Sequence, residues 1–319
     1  MRGLEVGSVD FYAVLAGRLG ENASAEILRR MFTPGEARVL ALAGTGHLPE
    51  TAPETHLMVE LYHSGYLERE GAGYALSSWR DVLYQYLLSA RYARQPGAER
   101  EVFRRHFLER NLRRFREVQT APFRVLPAEG TLAHLDHHVV VPYTVAAEVL
   151  AAAGSVVVID CVCRVAMGEC ERPRNVCLSL GDATAYYRER GLGRSLDQRQ
   201  AQHLLARAAD DGLVHCMDNP AMRQPARVIC NCCECCCVFV RGLKQYGLPR
   251  TIASAGYLAV TDADVCNGCG VCVKRCIFDA RELTGEGIAL DIDKCLGCGQ
   301  CVRVCPTGAV TLEVPSGPA

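Results

Sequence analysis

Apolar and polar positions along the chain fall into runs that predict both helices and strands. Thr33-Pro34-Gly35-Glu36 opens the first clear helix. Thr33 can cap it, Pro34 suits its first turn, and Glu36 closes a capping box. Val39, Leu40 and Leu42 continue it until Gly44. A second start, Thr51-Ala52-Pro53-Glu54, leads into Leu57, Met58, Leu61 and Tyr62 at helical spacing and stops at Gly65. Tyr66-Leu67 and Tyr74-Ala75-Leu76 flank Gly71-Ala72-Gly73, which predicts a hairpin. Residues 97–119 predict an amphipathic helix with Phe103, Phe107, Leu112 and Phe115 on one stripe and arginines such as Arg105 and Arg113 opposite. That basic face reads as a solvated one. Pro122, Pro127 and Gly130 then mark a linker.

Further along, a helix is expected from Pro142 through Ala153 and a strand over Ser155–Ile159. The strand delivers Cys161-Val162-Cys163-Arg164, and continued as a strand it points both sulfurs to one side. Cys170 and Cys177 flank Pro173, in a loop able to fold back on them. Helices are expected over Asp182–Arg190 and Leu196–Ala209. Gly191-Leu192-Gly193 between them is too short a signal for a phosphate loop. Leu213-Val214-His215-Cys216 closes the region, with His215 and Cys216 read as packed residues. Next comes Cys230-Asn231-Cys232-Cys233-Glu234-Cys235-Cys236-Cys237. Core packing gives no reason to concentrate thiols in this way. On a helix, Cys232 would share a face with Cys236, and Cys233 with Cys237.

Composition narrows the chemistry. The 319 residues are enough for two or three domains, and the net charge is −1. The longest apolar stretch, 145–159, contains Glu148 and Gly154, so no membrane span is expected. Glu5 and Asp10 argue against a signal peptide. Without one, the 19 cysteines point to metal-binding thiolates in a reducing cytoplasm rather than to a disulfide framework. Residues 261–319 carry five basic and eight acidic side chains, an acidic tail suited to a basic redox partner protein.

That tail holds Cys266, Cys269, Cys272 and Cys276, then Cys295, Cys298, Cys301 and Cys305, each run spaced C-x2-C-x2-C-x3-C. This is the ferredoxin spacing for 4Fe–4S clusters, in which the fourth cysteine serves the other cluster. A zinc site would need no x3 step. Residues 266–280 repeat in 295–309, an offset of 295 − 266 = 29. Residues 255–313 resemble the two-cluster bacterial ferredoxins. The resemblance implies two 4Fe–4S clusters, one on Cys266, Cys269, Cys272 and Cys305, the other on Cys295, Cys298, Cys301 and Cys276. Ile277 stands where that family usually has proline, whereas Pro306 keeps it.

The middle cysteines are Cys161, Cys163, Cys170, Cys177, Cys230, Cys232, Cys233, Cys235, Cys236 and Cys237. They could supply two more 4Fe–4S clusters, or one of unusual nuclearity beside a reactive thiol. Zinc is the less favoured occupant. From Ser155 onward the chain resembles uncharacterised bacterial and archaeal 4Fe–4S-binding proteins, through Asp160–Arg164 (D-C-x-C-R) and Ile229–Cys237 (I-C-N-C-C-x-C-C-C). That resemblance implies an organisation and no reaction.

The expected fold class is α+β. Residues 1–120 form a helical, winged-helix-like region, 130–250 a cysteine-rich α/β domain, and 255–319 a two-cluster ferredoxin domain. The winged-helix resemblance covers 31–78. Its second helix offers Glu54, His56, Glu60 and His63 but no arginine or lysine, which disfavours nucleic acid as a partner. His134, His137 and His138, close to Asp136, read as a polar loop. Three functions are compatible with this pattern. In order they are electron transfer, an iron–sulfur oxidoreductase with Arg164, Arg194 and His215 around a middle site, and a cluster-dependent regulator. No Walker, dinucleotide or nucleophile-elbow motif is present.

Overall fold

The computed structural model describes residues 9–20, 23–45, 52–71, 73–132 and 146–315, so the expected His134–His138 loop lies outside the described residues. The chain forms two compact units, one of residues 1–106 with 189–191, the other of 107–188 with 192–319. The described residues contain both helices and strands, consistent with an α+β protein. Among the described residues no helix is long and apolar enough to cross a membrane.

In the first unit, helices α1 (Phe11–Leu19), α2 (Ala25–Met31), α3 (Pro34–Leu42) and α4 (Ala52–His63) precede a hairpin of β1 (Leu67–Glu70) and β2 (Gly73–Leu76). Helices α5 (Trp79–Leu88) and α6 (Ala90–Ala93) follow. The capping box at α3 is present: the Glu36 amide donates to the Thr33 hydroxyl, and the Thr33 amide donates to the Glu36 carboxylate at 2.7 Å. Arg91 pairs with the same carboxylate at 2.7 Å, which ties α6 to the start of α3. The hairpin pairs Leu67 with Leu76 and Glu70 with Gly73, and Gly71 takes the left-handed conformation (φ 58°) that its tight turn requires. Leu28, Leu40, Leu83 and Tyr86 form the core. Helix α7 (Gly97–Glu117) begins in this unit and ends in the second; Phe103, Phe107, Leu112 and Phe115 are buried along it, as its stripe predicts.

The second unit is built on a seven-stranded sheet. Its elements are β3 (Phe123–Val125), α8 (Ala146–Ala153), β4 (Val156–Asp160), α9 (Val162–Met167), β5 (Asn175–Leu180), α10 (Ala183–Glu189), β6 (Arg194–Leu196), α11 (Gln198–Asp210), β7 (Val214–Asp218), β8 (Val228–Cys232), α12 (Val238–Lys244) and β9 (Ile252–Ala253). The strand order is β6-β4-β5-β8-β7-β3-β9, antiparallel at every step except β3 to β9. Alternation along β7 sorts the two faces. Met217 joins Leu150, Val158, Leu178 and Leu205 beneath α8 and α11, whereas Val214 and Cys216 join the opposite core, which also contains residues of the tail.

Two local expectations are corrected, and an alternative left open at residues 230–237 is decided. The strand does not carry on through Cys163: pairing of β4 with β5 shifts register at Ile159/Asp160, and Cys161 becomes the N-cap of α9. Cys177 is not in a loop but within β5, opposite Ile159. The 230–237 segment is not a helix, because pairing with β7 keeps Cys230–Cys232 extended, residues 234–236 turn, and α12 starts only after Cys237. The helical-face pairings of its cysteines therefore do not form.

The tail adds β10 (Leu258–Thr261), α13 (Val271–Arg275), β11 (Arg281–Thr284), β12 (Gly287–Leu290), α14 (Gln300–Arg303) and β13 (Val310–Glu313), with β10 paired to β13 and β11 to β12. It is fastened to the end of α11. Arg275 donates to the carbonyls of Ala209 (2.6 Å) and Asp210 (2.7 Å), and Gln300 accepts from Arg275 and donates to Leu213. A cation at a helix C-terminus meets the negative end of its dipole.

Candidate metal centres

Both cysteine runs of the tail fold alike. Each ends a loop at a left-handed glycine, Gly270 (φ 68°) or Gly299 (φ 72°), which starts the short helix carrying the third cysteine. Cys276 from the first run and Cys295, Cys298 and Cys301 from the second line one cavity. Gly297 is required there: a Cβ would lie 2.6 Å from the Tyr257 carbonyl oxygen, and its φ is +68°. Burial pushes the Cys301 thiol up to about 11, against the pull of Arg281. Of the other four cysteines, Cys272 is buried, Cys266 and Cys305 are half-buried and Cys269 is exposed. Ile277, at the proline position, is buried in the core beside Phe278.

Arg281 tests whether these thiols suit a cluster. It is 4% exposed, donates to Thr261 Oγ1 (2.8 Å) and the Ala259 carbonyl (2.6 Å), and approaches Cys272 Sγ at 3.9 Å. It also lines the cavity of the other set. Its Nε has no partner, and it forms no salt bridge among the described residues. A buried cation without counter-charge is costly. Thiolates on both sides supply that charge, and iron binding keeps thiols as thiolates. The residues fit the group.

The middle cysteines divide into two sets. The first is a wide ring linked thiol to thiol. Cys161 contacts Cys163 and Cys177, Cys163 contacts Cys237, and Cys177 contacts Cys230. Cys237 Sγ lies 3.2 Å from Cys232 Sγ, and Cys232 contacts Cys216. Strand register closes the ring, since Cys216 pairs with Cys230 across β7 and β8. Thiol hydrogen bonds from Cys163 and Cys177 hold Cys161 well below the usual thiol range. The second set is compact. Cys170, Cys233, Cys235 and Cys236 have all four sulfurs within 4.8 Å of one another, the one such group of metal-ligand side chains among the described residues. Hydrogen bonds from Cys236, with the charge of Arg164, pull Cys233 down to about 5 despite its burial.

Arg164 stands between the sets. At 1% exposure it donates to the carbonyls of Pro173 (3.0 Å) and Asn231 (2.6 Å). Burial works against its charge, and the thiols of Cys161, Cys233, Cys177 and Cys232 more than offset it. This parallels Arg281 in the tail. His215 is 1% exposed; it pairs through Nδ1 with Asn231 Oδ1, and burial lowers it to about 4. Arg194 lies apart, exposed on β6.

Cys216 is packed in the core, as the sequence suggests, and also lies beside Cys232; sequence reasoning missed Asn231, whose side chain joins His215 and the Val176 carbonyl. The signal for Cys216 was its place in an alternating strand, two residues from Val214. Cys216 shares one hydrophobic core with tail residues, Cys298 among those packed against it.

A family model described as a 4Fe-4S binding domain matches residues 288–311. No curated protein and no solved structure matches the chain.

Proposed function

Given that the chain carries a ferredoxin-type 4Fe-4S binding domain, we propose that it is an electron-transfer protein whose tail exchanges electrons with a centre in the cysteine-rich sheet. Cys266, Cys269, Cys272 and Cys305 hold an outer cluster, and Cys276, Cys295, Cys298 and Cys301 an inner one. When bound, such clusters supply one-electron redox chemistry. The chain's own residues set the path. Cys269 is exposed and brings the outer set to solvent, where a soluble redox partner can reach it. The acidic surface there, including Asp262, Asp264 and Glu282, favours a basic partner. The inner set abuts the thiol ring, and Tyr257, Phe278 and Val214 exclude water from the shared core.

The observation that carries this reading is that Cys298 of the tail packs against the same hydrophobic core that contains Cys216, Cys232 and Cys237 of the sheet. Arg164 and His215 are sealed from solvent, so neither can orient a diffusing substrate, which weighs against the oxidoreductase reading. In the first unit, α3, α4 and the hairpin make a winged-helix-like module for protein contact. Arginine and lysine are absent from α4, which disfavours a DNA-reading regulator.

The test is anaerobic iron and sulfide analysis joined to EPR. About twelve irons per chain are expected, eight in the tail and the rest in the ring. Cys298→Ser should leave the outer cluster reducible by a soluble protein donor while slowing reduction of the ring at least tenfold. About eight irons in total, or a ring reduced equally fast in the variant, would overturn the proposal.

A further inference from the structure

The compact thiol set differs in scale from every other cysteine group of this unit. Cys170 Sγ and Cys236 Sγ are 3.7 Å apart, and all four sulfurs lie within 4.8 Å of one another. A tetrahedral ion with metal–sulfur bonds of about 2.3 Å sets its ligands about 3.8 Å apart, the bond length times the square root of 8/3. Thiolates bound to separate irons at the corners of a cube stand farther apart, on the order of 6 Å. The tail supplies the comparison. Its cysteines converge on a cavity, yet among the described residues no three of their sulfurs form a group this tight.

We propose that Cys170, Cys233, Cys235 and Cys236 hold a single tetrahedral zinc ion, lying off the electron path. The sequence reading placed these four thiols with the iron–sulfur ligands and gave zinc second place; the spacing reverses that order for this set alone. Four thiolates and one divalent ion leave a dianionic site; the buried Arg164 cation faces it, while Arg241 is paired with Glu169 and Lys244 with Glu234 and Asp279. Arg164 acts on Cys233 from the buried side. Arg241 donates to the Cys235 carbonyl at 2.8 Å and pairs with Glu169, the residue before Cys170, at 2.6 Å. Lys244 pairs with Glu234 inside the turn itself. A site with four protein ligands has no open position, so the ion is structural. It clamps the turn at 233–236 to the loop after α9.

The experiment uses the full chain, purified anaerobically, with metal content measured by mass spectrometry. About one zinc per chain is expected. Cys235→Ser should lower zinc at least fivefold while iron and sulfide stay unchanged, and Cys163→Ser, in the ring, should leave zinc at the wild-type level. Protein produced with cobalt should show intense sulfur-to-cobalt charge-transfer bands and tetrahedral ligand-field bands, a readout independent of whether any variant folds. Wild-type protein without zinc and without a tetrahedral cobalt spectrum overturns the proposal. So does Cys235→Ser losing about four irons, or losing a single high-spin ferric signal. The electron-transfer reading fails on different numbers, the iron content of the tail and ring, so the two outcomes are separable.

Discussion

Replacing Arg281 by methionine removes a buried positive charge lying between the two tail cysteine sets while keeping a side chain of similar length. At 3.9 Å from Cys272 Sγ, a unit charge in a medium of effective dielectric near 20 contributes 332/(20 × 3.9), or about 4 kcal/mol. An added electron spreads over a whole cluster rather than one sulfur, so about half of that value is the better figure. For a one-electron couple, where tenfold is 59 mV and 1.36 kcal/mol, about 2 kcal/mol is about 90 mV. Removing a cation disfavours the more negative reduced state, so the midpoint potential should fall by roughly 50–150 mV. The assay is an anaerobic redox titration followed by EPR, on wild type, Arg281→Met and Arg281→Lys. The lysine variant retains the charge and should stay within about 40 mV of wild type. A methionine variant that folds, keeps its iron and shifts by less than about 20 mV, or upward, would refute the argument that Arg281 is the counter-charge of these thiolates.

Gly297→Ala sets a Cβ against the Tyr257 carbonyl oxygen in a left-handed conformation, and should lower iron content and melting temperature together. Arg164→Met removes the buried cation facing Cys161, Cys233, Cys177 and Cys232, and should lower metal content in the middle sheet while the tail's EPR signals persist. At Glu36, burial favours the neutral acid, but hydrogen bonds from Arg91 and Thr33 win and its folded pKa is lowered. The stability this provides is full above the unfolded value near 4.5 and is lost as pH falls through the lower folded value. Glu36→Gln should therefore cost about 1 kcal/mol at pH 7, with the gap in thermal melts closing below about pH 4. A gap that widened on acidification would reverse the assignment.

What could be read from sequence was local. The capping box at Thr33 and Glu36, the glycine turn of the hairpin and the ferredoxin spacing each lie within a few residues, and backbone geometry dictates them. The ring was illegible for the opposite reason. Cys216 meets Cys230, and Cys177 faces Ile159, only through the register of strands far apart in sequence. Thiol spacing alone leaves residues 230–237 open between strand and helix, and sheet pairing decides for an extended Cys230–Cys232. Arg164 follows Cys163 directly, so its charge beside thiolates could be read from sequence, whereas Arg281 comes up to Cys272 Sγ only in the fold. Each gains its role from burial among thiols.

The Arg275 and Gln300 contacts at the end of α11 carry a consequence for evolution and engineering. A ferredoxin joined by a loose linker is a replaceable cartridge; another could be substituted and would find its own encounters. Here Arg275 of the first cysteine run and Gln300 of the second read carbonyls at and just past a particular helix end, and Cys298 packs against a core that holds a thiol of a particular strand. A foreign ferredoxin grafted at residue 255 would keep its clusters and lose its address. The tail in this chain is fixed wiring, and changes to it and to the sheet must be made as a pair.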